Sequence, residues 1–362
     1  MSTALGVKGI MGAAQQSAYE TPVNATDLVP FLNESINIEP AFGDHDYLHG
    51  SAGIPGTEKL FEPVIGSVEC RIPYTQKDAG GDFTSTDLLI ALSMGVSTWD
   101  AGTTANQLTF TNDLEVNGTL AVDKGYSTSS WETVGAMINS MTISGNSAEF
   151  ISANFDVIGK DQTRSASENT AAKLQALVYN LPSILHFSDL TFRIGDQANA
   201  LGAADEVCIT AFSLVVNNNL TEPTQSTPCP AQLDSGVDTY DHDDTMETIK
   251  PRRNGFRECT LEITIPRYTS DTFLDWRDAE TKLMADFHFT DGTHNYYIYL
   301  PNIQIPTGVA PVTGPEALTQ TISLKCFTYN GHGFMTFSDA ATTSLGEVWI
   351  ELISERTAAI LS

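Results

Sequence analysis

Through Arg257-Glu258-Cys259-Thr260-Leu261-Glu262-Ile263-Thr264-Ile265, apolar side chains fall on every second residue, and no other feature constrains the fold as tightly. A period of two places Cys259, Leu261, Ile263 and Ile265 on one face of a strand and Glu258, Thr260, Glu262 and Thr264 on the other. The same arrangement occurs far earlier, with Val68, Cys70 and Ile72 facing in and Ser67, Glu69 and Arg71 facing out. In both places an inward cysteine sits beside an outward glutamate, and a glycine (Gly66, Gly255) lies three residues before that glutamate. A half-buried strand written twice predicts a sheet-based fold built twice.

The surrounding signals repeat in the same order. Thr84 or Ser85 can cap a helix over TDLLIALSM, with Gly95 as its stop. Ser270 or Asp271 can cap TFLDWRDAETKLM, with Phe273, Trp276 and Leu283 as a loose apolar stripe. Hairpin signals follow at Asn117-Gly118 and Asp291-Gly292. Two long strands then close each copy: AMINSMTIS and FISANFDVIG around Gly145-Asn146, and NYYIYLPNIQI and LTQTISLKCFTYN. Ala153, Phe155 and Val157 alternate as Ile322, Leu324 and Cys326 do. Opening strands are ESINIEP from Glu34 and ITAFSLVVNN from Ile209. The expected organisation is an N-terminal arm (1–26), a first domain (27–165), a connector (166–204), a second domain (205–330) and a C-terminal arm (331–362). The connector holds a helical NTAAKLQALVYNL and a strand, DLTFRIGD. Long loops are expected at 40–62 and 218–254.

At 362 residues two domains are the sensible expectation, and 41% hydrophobic residues suit a folded chain. A formal charge of −27 opposes nucleic-acid binding that depends on neutralising phosphates. Five cysteines (Cys70, Cys208, Cys229, Cys259, Cys326) show no CxxC spacing; zinc and a disulfide framework are not expected, and most read as buried thiols of a reducing compartment. The N-terminal run has no long apolar core, and no stretch approaches the ~18 apolar residues of a membrane span, so the reading is neither a secreted precursor nor a membrane protein.

Chemistry is sparse. The chain has no GxSxG, HExxH, GxxxxGK[ST] or GxGxxG. Asp44, His45 and Asp46, and Asp241, His242 and Asp243, are candidate divalent-ion ligands, but solvated acidic loops explain them better. His332, between Gly331 and Gly333, reads as a turn. Lys250, Arg252, Arg253 and Arg257 form the one basic cluster, a candidate patch for an acidic neighbour. No metal, no cofactor and no enzymatic activity are expected.

The run from Gly6 to Pro40 resembles the opening of tail-tube proteins of long-tailed bacteriophages: a glycine-containing arm, a Gln-x-Ala-Tyr-x-Thr-Pro-Val run from Gln16 to Val23, and a D-x-V-P-F variant from Asp27 to Phe31. DLTFRIGD, DEVCITAFSLVVNNNL, YLPNIQI and the terminal WIELISERTAAIL are similar to the same family. The resemblance implies a mainly β chain with minor α: two tandem β-sandwich or half-barrel domains, each flanked by one helix, with extended arms. It implies rings, trimeric and pseudo-sixfold for a tandem chain, stacked into a hollow virion tail tube assembled in the host cytoplasm. Partners implied are further copies of the chain and tape-measure, tail-terminator and distal tail proteins, while phage DNA passes through without specific binding. Glu69, Glu258 and Glu262 are then lumen or ring-interface candidates. The competing reading is a carbohydrate- or receptor-binding β-sandwich on a virion surface, for which the aromatic HNYYIYL is the candidate.

Overall fold

The computed structural model describes residues 9–44, 56–77, 81–111, 114–125, 129–164, 166–177, 182–224, 249–267, 270–308, 319–328 and 346–361. The chain is mainly β. Its first half comprises β1 (Ile10–Gln16), β2 (Asp27–Val29), β3 (Phe31–Glu34), β4 (Asn37–Ile38), β5 (Ala41–Asp44), β6 (Thr57–Phe61), β7 (Val64–Arg71), β8 (Gln76–Lys77), β9 (Phe83–Thr84) and α1 (Asp87–Met94). It continues through β10 (Gly95–Asp100), β11 (Ala105–Phe110), β12 (Asn117–Asp123), β13 (Trp131–Asn146), β14 (Ser152–Gly159) and β15 (Asp161–Arg164). Then come α2 (Ala171–Ala176), β16 (Leu190–Asp196), β17 (Ala211–Asn217), β18 (Glu258–Ile265), α3 (Thr272–Asp278), β19 (Leu283–Thr290), β20 (Asn295–Gly308), β21 (Gln320–Cys326) and β22 (Trp349–Ile353).

A shared set of strands in the two halves corresponds in its pairing. β7 lies between β3/β4 and β14, as β18 lies between β17 and β21. β14 pairs with the C-terminal half of β13, and β21 with that of β20, each across a bulge. The N-terminal halves of β13 and β20 turn into a second layer, where they pair with β12 and β19. β1 in turn flanks β12, and β16 flanks β19. β1, within the segment read only as an arm, and β16, the strand expected in the connector, therefore occupy matching sheet positions.

Register corrects the letter-for-letter echo. Cys70 stands between Phe31 and Ala153, whereas Ile263 stands between Phe212 and Ile322. Cys70 thus matches Ile263, and Glu69 matches Glu262 rather than Glu258. The shared IPY/IPRY ending is the true alignment.

Several local expectations shift. The stop at Gly95 holds, with φ +99 at the helix C-cap, but Thr86 is the N-cap residue and makes no side-chain cap bond. Asn117-Gly118 is not a hairpin turn: both residues pair with β1 from within β12, and Gly118 also pairs with β13. Gly125, at φ +70, with its N–H bonded to Asp123, is the counterpart of Gly292 at φ +89. The second helix ends at Asp278, because Leu283 already points into the core from β19. Gly145 and Asn146 belong to β13, and the turn follows them. ESINIEP is broken into β3 and β4 around buried Ile36.

Val68, Cys70, Phe155, Leu214, Leu261, Ile263 and Leu324 form the inward face of the main sheet in one core that runs through both halves. Burial pushes the Cys70 and Cys259 thiols up, which makes them packing groups and poor nucleophiles. Cys208 departs from that expectation and is exposed; Cys229 lies outside the described residues. α1 is buried on every side, while α3 has no buried residue.

Candidate assembly surface

β13 is the hinge of the architecture. Its residues 140–144 pair with β14 on one side, and residues 140–146 pair with β17 of the second half on the other, from Ser140 opposite Asn217 to Asn146 opposite Ala211. A single antiparallel sheet therefore runs β3/β4–β7–β14–β13–β17–β18–β21–β20 across both halves. Asn218 secures the junction from inside. It is fully buried, and its amide donates to the Ser93 and Ile138 carbonyls at 2.8 and 3.1 Å, binding the end of α1 to β13.

The outward face of this sheet is made of short polar side chains. One cross-strand row runs Ser67, Asp156, Ser140, Asn217, Glu258. The next runs Asn33, Glu69, Asn154, Thr142, Val215, Thr260, Lys325. A third runs Arg71, Ser152, Ser144, Ser213, Glu262, Ser323. Glu69, Glu258 and Glu262 are all exposed here. The structure thus brings the three glutamates, picked out by alternation alone, onto one surface, although they are not clustered.

The two ends of the sheet are alike. Among the described residues β3 and β4 pair only with β7, and β20 past Ile303 pairs only with β21. Backbone N–H and C=O groups left open along such an edge favour pairing with another chain. The open flank of β20 is the one that, on β13, receives β17.

The C-terminal segment fastens the halves together. β22 pairs with β20 of the second half and with β11 of the β10–β11 hairpin of the first. Beyond it, Arg356 reaches into the first half. Its guanidinium donates to Asp27 Oδ2 at 2.7 Å and Ser85 Oγ at 3.0 Å, lies 3.6 Å from Asp87 Oδ2, and covers the Phe83 ring at 4.0 Å. Asp87 also accepts from the Thr75 hydroxyl. Desolvation raises the Asp27 pKa to about 6 against the lowering pull of Arg356, and raises Asp87 for the same reason.

Two members of the basic cluster, Arg253 and Arg257, are engaged within the molecule, while Arg252 is exposed. Arg257 lies 3.7 Å from the Phe110 ring centroid, donates to the Thr111 carbonyl at 2.7 Å and pairs with Glu347 at 2.8 Å. Arg253 donates to the Thr111 and Asn218 carbonyls, both at 3.3 Å. These contacts bridge the two halves; adjacency to Glu258 in sequence could not reveal them. Asp44 ends β5, and no group of three or more metal-ligating side chains occurs among the described residues. His45, Asp46, Asp241, His242, Asp243 and His332 lie outside the described residues. In HNYYIYL, Tyr296 and Ile298 are core while Tyr297 and Tyr299 stack on each other, so the aromatic run is largely packing. No helix among the described residues is long and apolar enough to cross a membrane.

A mainly β chain with one continuous sheet and open ends offers edges along which further chains could pair. The profile of the phage tail tube protein family matches residues 66–326, well over half of the sequence, and the chain belongs to that family. It is a structural component of the virion tail. No curated protein matches the sequence.

Proposed function

We infer that three copies close into a pseudo-sixfold ring, and that rings stack into the tube through which phage DNA leaves. The β13–β17 junction carries this reading: it is a sheet-to-sheet joint already made once inside the chain, and the matching edges at β20 and β3/β4 stand ready for its repetition between chains. Equivalent joints within and between subunits close a ring when the rotation closes. The units on this reading begin at β1 and β16, and the segments beyond β15 and β21 link or fasten them.

The outward Ser/Thr/Asn face with Glu69, Glu258 and Glu262 is the candidate lumen wall. Short neutral and acidic groups offer DNA phosphates few cations, which avoids the strong, salt-dependent hold that basic walls would impose. Tape-measure, terminator and distal tail proteins are the expected partners. Negative-stain imaging and mass measurement of concentrated protein test the proposal: stacked rings of three chains are expected, while a stable monomer, or rings of six two-domain chains, would overturn it.

A further inference from the structure

The first half has a groove that the chain itself fills. Residues 183–187, just before β16, lie along the ends of β7 and β14. Tyr74 N–H donates to the Ser183 carbonyl at 2.8 Å, Leu185 N–H to the Ile72 carbonyl at 2.8 Å, and Ile151 N–H to the Leu185 carbonyl at 2.9 Å. Leu185 is wholly buried there, and Ile184 bridges to Pro73.

The second half has the matching groove, and none of the described residues fills it as 183–187 do in the first. By register Ile265 matches Ile72, Pro266 matches Pro73 and Gln320 matches Ile151. These three residues, with Phe273 and Trp276 of α3 and the exposed Cys208, line a cavity of about 550 Å³. Gln320 is 2% exposed, and its amide nitrogen has no hydrogen-bond partner. A buried amide without a partner is destabilising, so a site that keeps one points to a missing acceptor.

The filled groove also identifies the occupant. Its strap leads into β16 through a 3-10 turn over Phe187–Asp189, and β16 holds the same sheet position as β1. What runs into β1 is the N-terminal segment, residues 1–8, with Leu5 and Val7 as alternating apolar side chains. Charge agrees on balance: no acidic residue precedes Glu20, the segment carries Lys8, and the cavity lining holds Asp205 and Glu206 against Arg267.

We propose that the N-terminal segment of a second copy of this chain seats in the groove beside α3 as a short added β segment, as residues 183–187 do within the chain. The docking rests on the ring reading above. It makes each ring joint two contacts, a sheet edge and an inserted strap.

Cysteine cross-linking on the full chain tests it. Leu5→Cys in a Cys229→Ser background, oxidised after assembly, should give inter-chain species that vanish when Cys208 is also changed to Ser. Deleting residues 1–8, or Trp276→Ala, should weaken polymerisation at least tenfold in critical concentration while circular dichroism stays as in the parent. Normal tubes with no Cys208-dependent product, and unchanged polymerisation of both variants, would overturn the strap and leave the tube reading standing. A parent chain that never polymerises would overturn both.

Discussion

Ser140 of β13 stands directly opposite Asn217 of β17, and at that pair the sheets of the two halves become one. The joint is internal, so its register is known, and it transfers by correspondence to the two free ends. On the proposed ring, Thr142 opposite Val215 and Ile143 opposite Leu214 would become Thr307 opposite Ser35 and Gly308 opposite Glu34 of the next chain.

A disulfide between Thr307→Cys and Ser35→Cys checks that register and the ring size together. Directly opposed antiparallel positions bring Cβ atoms within about 5 Å, close to disulfide reach. Expected on a non-reducing gel is a ladder that stops at three chains. A ladder that reaches six would replace the trimer with a hexamer; no ladder from intact tubes would reject the register.

Arg356 is the second test, because it neutralises two carboxylates that water does not reach. Asp27 and Asp87 are each 1% exposed. Removing one partner of a buried ion pair costs about 3–5 kcal/mol. Arg356→Ala should therefore lower unfolding free energy by that order and release β22 from between β11 and β20, seen as a lower denaturant midpoint and faster hydrogen exchange in residues 349–353.

How far the sequence foretold this arrangement varied with distance along the chain. β18 was legible because Cys259, Leu261 and Ile263 obey a period of two, and that signal is local. Gly95 announced the end of α1 for an equally local reason, its left-handed φ. The lumen candidates were legible only as outward positions; that Glu69 shares a face with Glu258 depends on β13 pairing with β17, which no spacing reports. Asn117-Gly118 carried a turn signature that strand pairing overrode. Arg356 with Asp27, and Arg257 with Phe110, join residues remote in sequence, and so were invisible.

The Asp27–Arg356–Asp87 cluster also sets a pH dependence. Asp27 has a folded-state pKa of about 6, above the unfolded value of 3.8, chiefly from burial, with Arg356, Asp87 and Asp82 as its charged neighbours. Such a group contributes stability fully below the unfolded pKa and loses it as pH rises through the folded one. Stability should fall between about pH 4 and pH 6 by about 3 kcal/mol from this group, and Asp87 acts in the same direction. Asp27→Asn should flatten that slope in a urea titration series; an unchanged slope would place the linkage elsewhere.

Asn218 supplies a test of the junction from within. Its buried amide spans the last turn of α1 and β13, and its side-chain oxygen accepts from Arg257 at 3.3 Å. Asn218→Leu keeps the volume but strands two carbonyls, each worth about 1–3 kcal/mol when left unsatisfied. A loss of about 2–4 kcal/mol in unfolding free energy is expected on that scale. Asn217→Ala, on the outward face at the same joint, should cost far less.

The lumen assignment stands or falls on charge reversal. Glu69, Glu258 and Glu262 project from one face, so changing all three to Lys shifts each chain by six charges without touching the core. If that face lines the channel, tubes of the triple variant should assemble and then retain linear DNA at low salt. Retention should fall steeply as salt rises, since each neutralised phosphate adds about one unit to the log–log slope. Parent tubes should retain none. Should the variant bind DNA only on the outside of the tube, as seen by nuclease sensitivity of all bound DNA, the polar face would be outer surface. The ring would then have to curve the other way.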